Sequence, residues 1–261
     1  MSTTLENDQP DFINKLPLIT AAFWVMKITA TTLGETGGDW LAQTMKFGYL
    51  ASTLVFFALF IIALAAQLMS KKHHPYLYWT VIIATSTAGT TMSDYMDRTL
   101  QLGYTKGAVI LITTLLCILA AWRFFVGNVS VDKIKTRQAE LFYWFTILFS
   151  NTLGTALGDF LSDDSGLGFF GSWLLITGIL IVILAAAKFT QLSKVFLFWV
   201  AFILTRPFGA TFGDVLTKSH EKGGLDLGTG ASSLILLAIL IIAIEVSYKK
   251  VKPPLNKPAT I

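Results

Sequence analysis

The chain has one cysteine, Cys117, and so can build neither a disulfide framework nor a thiolate metal site of its own. Lying within the apolar run LITTLLCILAAW, it reads as a small apolar filler. Charge is scarce too: 20 Lys and Arg with 16 Asp and Glu make up 14% of 261 residues, against 54% hydrophobic residues and a mean hydropathy of +0.64. Soluble domains are about one-quarter charged, and so few charges would leave a water-soluble globule with aggregating patches. Signatures of chemistry are missing as well. No G-x-x-x-x-G-K-[ST] loop, HExxH, G-x-S-x-G or dinucleotide fingerprint occurs, which leaves an enzyme unsupported and calls for no cofactor. The formal charge of +4 comes from basic residues at the ends of apolar runs, a topology signal that gives no stripe for nucleic acid. The first residues, MSTTLENDQPDFINK, lack a basic n-region and read as a polar tail.

Long apolar runs are what the sequence does have. They cover about 17–38, 49–69, 77–95, 106–125, 140–158, 169–190, 195–213 and 229–247. Continuous runs of this length favour helices over the alternating strands of a barrel. The expected fold is an all-α integral membrane protein of eight transmembrane helices with the lipid bilayer as its surroundings. Connections after the second, fourth and sixth runs, with the C-terminal segment, carry twelve Lys and Arg; the alternate connections carry five. By the positive-inside rule both termini are cytoplasmic. The expected organisation is a tail at 1–16, a first half at 17–130, a second half at 131–248 and a basic tail at 249–261.

Four segments align without gaps: WVMKITATTLGETGGDW (24–40), WTVIIATSTAGTTMSDY (79–95), WFTILFSNTLGTALGDF (144–160) and WVAFILTRPFGATFGDV (199–215). Each places a Trp 15 residues before an Asp (Asp39, Asp94, Asp159, Asp214), a Gly five before that Asp, and another Gly nine after it. Successive offsets of 55, 65 and 55 residues give four two-helix hairpins in two pairs, and all four begin on one side of the membrane. The repeats are therefore parallel, around a pseudo-symmetry axis along the membrane normal. The pattern resembles a bacterial membrane-protein family defined by four tandem copies of a repeat of unknown function, over about residues 20–250. Some relatives in that family are described as ciprofloxacin-tolerance membrane proteins, which implies an envelope or efflux role.

The first helix of each repeat ends in small residues four apart: Gly34 and Gly38, Gly89 and Ser93, Gly154 and Gly158, Gly209 and Gly213. Such faces let membrane helices approach closely, so the odd-numbered helices are expected to surround the axis. A carboxylate at the centre of a bilayer costs about 2.5–3.5 kcal/mol, and the four Asp must face water, a cation, one another or a helix end. They can cap a short following helix or form a cation-attracting ring. Where repeats disagree, specific chemistry is expected: Lys27 aligns with Ile82, Ile147 and Phe202; Glu35 with Thr90, Thr155 and Ala210; Arg206 with Thr31, Ser86 and Asn151. Glu35 and Asp39 share a helix face and can exchange a proton. Arg206, followed by Pro207, marks a break in the seventh helix and a partner for a carboxylate. Lys27 is a site residue or an interfacial side chain that snorkels. The repeated Trp residues fit an interfacial belt, and Asp97, Arg98, Asp163, Asp164, Lys218 and Lys222 read as solvated loop charges.

These residues point to a secondary transporter or exporter of a cationic substrate, proton-coupled through its carboxylates, with Asn151 and Thr31 as neutral ligands. Oxygen-only ligation by Glu35, Asp39, Asp94, Asp159 and Asp214 suits a transported divalent ion such as Mn²⁺ or Mg²⁺. Aromatic lining would instead suit a cationic or zwitterionic drug. A cation channel with an Asp ring, and a structural or regulatory membrane protein whose Asp residues cap and whose small residues pack, remain the alternatives.

Overall fold

Two kinds of helix alternate along the chain, and their side chains decide which lies inside. The computed structural model describes residues 17, 19–70, 72–131, 134 and 136–251, the last three by backbone alone. The expected tails at 1–16 and beyond 251, with Lys71, Lys133 and Lys135 of the charge count, lie outside the described residues. Among the described residues the eight α-helices are α1 (Ala21–Asp39), α2 (Tyr49–Met69), α3 (Pro75–Asp94), α4 (Tyr104–Val126), α5 (Arg137–Asp159), α6 (Gly168–Phe189), α7 (Lys194–Thr217) and α8 (Thr229–Val251). Among the described residues there is no strand.

The second helix of each repeat is strongly apolar overall. Mean hydropathies of 2.4, 2.3, 2.4 and 2.3 for α2, α4, α6 and α8, with 1.6 for α7, make these five long and apolar enough to cross a membrane. Side chains such as Ile62, Leu116, Val182 and Leu234 stand exposed on them. Cys117 of α4 is on that exposed surface instead of filling the interior. Helices α1, α3 and α5 fall short of that apolarity because Thr, Ser, Asn, Gly and ionisable residues line their buried faces. A helix sheathed by other helices can hold such residues away from lipid.

The four odd helices form the inner ring, in the order α1, α3, α5, α7 and back to α1. Their contacts are made of the small residues. Gly34 faces Ser86, Gly89 faces Asn151 and Thr152, Gly154 faces Arg206 and Pro207, and Gly209 faces Thr31, so each repeat receives the next and the fourth receives the first. One turn on, Gly38 faces Thr90, Gly158 faces Ala210 and Gly213 faces Glu35, while Ser93 donates its hydroxyl to Asp97 at 3.3 Å. The outer helices do not fold back as hairpins. Helix α2 packs on α3, α4 on α5, α6 on α7 and α8 on α1, so each repeat gives its second helix to the first helix of its neighbour. A shift from first to second helix is made in each repeat by the second conserved-register glycine: Gly48, Gly103, Gly168 and Gly223 all have φ between 65° and 79°, which L side chains resist.

Helix α7 runs unbroken through Pro207, against the expected break. Gly154 of α5 makes the room, since a Cβ there would meet the Pro207 ring. The repeated Trp residues are also not a belt. Trp79, Trp144 and Trp199 are 1%, 0% and 6% exposed, and with Tyr78, Tyr143, Phe23 and Phe202 they make an aromatic floor across one end of the ring. Tyr78 and Tyr143 share a hydrogen bond of 2.6 Å there, and Trp199 donates to the Val129 carbonyl at 3.0 Å.

Candidate functional site

Moving along the axis from the aromatic floor, aligned positions of the four repeats meet in layers about 6 Å apart, one per four residues. Lys27 occupies the first. It is fully buried, 4.1 Å from the centre of the Phe202 ring and 3.4 Å from Asn151 Oδ1, and Asn151 in turn donates to Thr85 at 3.1 Å. The ammonium does not snorkel, because the aromatic floor lies between it and the near end of the bundle.

Arg206 occupies the next layer and gathers all four repeats. Its Nη2 donates to Glu35 Oε2 at 2.9 Å, to Thr155 Oγ1 at 2.8 Å and to Thr90 Oγ1, while Nη1 donates to the Thr31 carbonyl at 3.3 Å. The Arg206 side chain is 0% and that of Glu35 5% exposed, so this ion pair is dry. Thr31 Oγ1 donates to the Thr205 carbonyl at 3.1 Å, tying α1 to α7 at the same level. Positions 35, 90 and 155 align in the repeats, and the guanidinium lies at their meeting point. The glycines are what allow it: its own Cβ and Cγ occupy the space that a Cβ on Gly154 would need.

The fourth layer, one turn past the level of Glu35, Thr90 and Thr155, holds the four repeated Asp, all 2–3% exposed. None caps a following helix. Asp39, Asp94 and Asp159 have right-handed helical backbone and make no capping bond, and the chain continues past each as a five-residue π-helical turn at Trp40–Thr44, Tyr95–Thr99 and Phe160–Asp164. Nor are Arg98 and Lys218 solvated loop charges. Lys218 Nζ lies 3.2 Å from Asp39 Oδ2 and 3.0 Å from Asp214 Oδ1. Arg98 Nε lies 3.0 Å from Asp94, and its Nη2 is 3.5 Å from Asp159 and 3.6 Å from Asp163. Burial works against the charge on both bases. The flanking carboxylates, Asp94 and Asp159 for Arg98 and Asp214 and Asp39 for Lys218, nevertheless hold both protonated above their usual range. Asp97 is likewise inside, against Gly107 of α4, and burial pushes its carboxyl up from the ordinary value.

Two acid–base–acid clusters thus stand side by side, and the five carboxylates of the expected metal set divide between them. Glu35, Asp39 and Asp214 bring one ligand oxygen each within 4.8 Å of one another, a group able to hold a hard cation. Asp94 and Asp159 belong with Arg98 instead. The sequence held the signal that would have found the two bases: four residues after each Asp stand Gln43, Arg98, Asp163 and Lys218, with a base in the second and fourth repeats only. That alternation reduces a fourfold ring to a twofold one.

A repeat of unknown function, DUF347, matches the chain at 22–73, 77–127, 142–193 and 197–251. The chain belongs to this family. Each matched copy corresponds to one inner and one outer helix, and the family copies end on the outer helix that the next copy's inner helix receives. No curated protein and no solved structure matches the chain.

Proposed function

We propose that this DUF347 protein crosses the bacterial inner membrane eight times, with both termini cytoplasmic, and moves a hard divalent cation such as Mn²⁺ or Mg²⁺, the simplest cargo for an oxygen-only site. The observation that carries the reading is the Glu35, Asp39 and Asp214 group, three buried carboxylates converging from α1 and α7 with Lys218 between two of them. A compact oxygen cluster suits an ion better than a drug, and the buried Trp79, Trp144 and Trp199 rings lie at the opposite end of the inner helices, although the Phe169 ring stands 5.9 Å from Lys218. Lys218 acts in this reading as a tethered cation that the substrate displaces. Glu35 and Asp39, one turn apart, take up the coupling proton when the substrate leaves. No enzymatic step is needed.

A second reading is a non-transporting structural or regulatory membrane protein. It is favoured by the dry Arg206–Glu35 pair, which fills the axis and joins all four repeats. Ion flux into proteoliposomes holding wild type, Glu35→Gln or Asp39→Asn separates the two. Flux that the substitutions reduce supports transport. Flux that they leave unchanged removes the carboxylates from the mechanism, and no flux over a panel of divalent ions favours the structural reading.

A further inference from the structure

The inner ring departs from its own symmetry at the seam between α7 and α1. Trp79, Trp144 and Trp199 are buried, but the equivalent Trp24 is only half-buried, because it faces a cavity of about 810 Å³. The cavity is lined by α1, α6 and α7 and by Ser130 and Val131 of the connection between the two halves of the chain.

Repeat alignment explains the space. Helices α4 and α6 match as AAWRF and AAAKF, so Ala187 stands where the second repeat has Trp122. Trp122 is fully buried and packs edge-on against Trp199 at 5.7 Å, two repeats further round the ring. The same step from Ala187 leads to Trp24, and there the indole is missing. Ala187, Trp24 and the Phe198 ring beside it at 5.7 Å all border the cavity.

Its chemistry is that of an amphiphile site. Leu180, Ile183 and Leu184 of α6 form one wall, and the same helix exposes Ile181 and Val182, so the cavity is continuous with the apolar outer surface. Lys194 stands in the lining at the start of α7, with Lys188 next to Ala187, and no carboxylate belongs to the lining among the described residues. We propose that this cavity binds an anionic phospholipid, an acyl chain lying against Trp24 and Ala187 and the phosphate at Lys194. The proposal rests on the membrane reading and is independent of the cation. Its volume falls within the range of about 300–1,000 Å³ usual for ligand pockets, and one Lys near a lipid headgroup is worth about 1 kcal/mol, or roughly fivefold in affinity.

The test uses the full chain, delipidated in detergent and titrated with phosphatidylglycerol or phosphatidylcholine bearing brominated acyl chains, with tryptophan quenching and native mass spectrometry as readouts. The expected result is one retained phosphatidylglycerol and a quenched component that Trp24→Phe removes. Ala187→Trp, which supplies the side chain the second repeat already uses, should abolish both. Lys194→Gln should lower the preference for phosphatidylglycerol over phosphatidylcholine roughly fivefold while leaving the quenching at saturation. Equal binding of the two lipids by wild type overturns the preference for an anionic headgroup. Quenching that survives Ala187→Trp, or a cavity that binds neither lipid because the chain's own N-terminal residues cover it, overturns the site.

Discussion

Arg206 is bonded to residues of all the other three repeats and can be replaced only together with its partner. Removing one member of a buried ion pair leaves the other charge uncompensated, at a cost of about 3–5 kcal/mol, whereas replacing both with apolar residues of similar size is often neutral. Arg206→Met and Glu35→Leu are each expected to lower the unfolding temperature sharply in detergent, and the double variant to recover most of the loss. Additive losses would show that Arg206 serves the fold through its Thr90 and Thr155 bonds instead. Lys218 behaves differently, because it is 22% exposed and lies at the open side of its carboxylates. Lys218→Gln should raise the affinity for Mn²⁺ about tenfold in isothermal titration by vacating the Asp39 and Asp214 oxygens. A fall in affinity would make Lys218 an organiser of the site, not a competitor for it. Sequence made Glu35, Arg206 and Lys27 visible because each breaks an aligned column. It hid Lys218 and Arg98 because a base just past an apolar run looks the same whether it faces water or turns back onto a carboxylate one helical turn earlier.

Between helices, the glycines decide the fit. A Cβ at Gly154 would overlap the Arg206 and Pro207 side chains, while Gly178 on α6 has open space around it. Gly154→Ala is therefore expected to cost about 1–3 kcal/mol by overpacking, and Gly178→Ala should be neutral or slightly stabilising in its helix. Equal effects in thermal unfolding would deny the inner ring its close packing. The spacing of small residues made these contacts readable in advance. The partner of each outer helix was not readable, since α2, α4, α6 and α8 are apolar over most of their surface and the few polar residues they bond to inner helices, such as Gln67 and Ser233, do not name a neighbour in sequence. The π-helical turns after Asp39, Asp94 and Asp159 were hidden as well: an Asp following a small residue has the local composition of a helix start, and only the continuous backbone shows otherwise. Tryptophan at a helix entrance misled for a similar reason, for an interfacial indole and a packed one occupy the same place in sequence.

For the whole molecule, the transfer of outer helices means that neither half is self-contained. The first half ends on α4, which packs on α5 of the second, and the second ends on α8, which packs on α1 of the first. Residues 1–130 and 131–261 produced as separate chains are expected to copurify as a complex, each aggregating when made alone. Independent folding of the halves would contradict the exchanged arrangement. The contact of α8 with α1 also makes the ring endless: the outer helix of the fourth repeat packs on the inner helix of the first as α2, α4 and α6 pack on α3, α5 and α7, so the helix order is a closed circuit even though its seam holds the cavity beside Trp24. A chain begun at residue 131, with its old ends linked, would spell the same ring of helices.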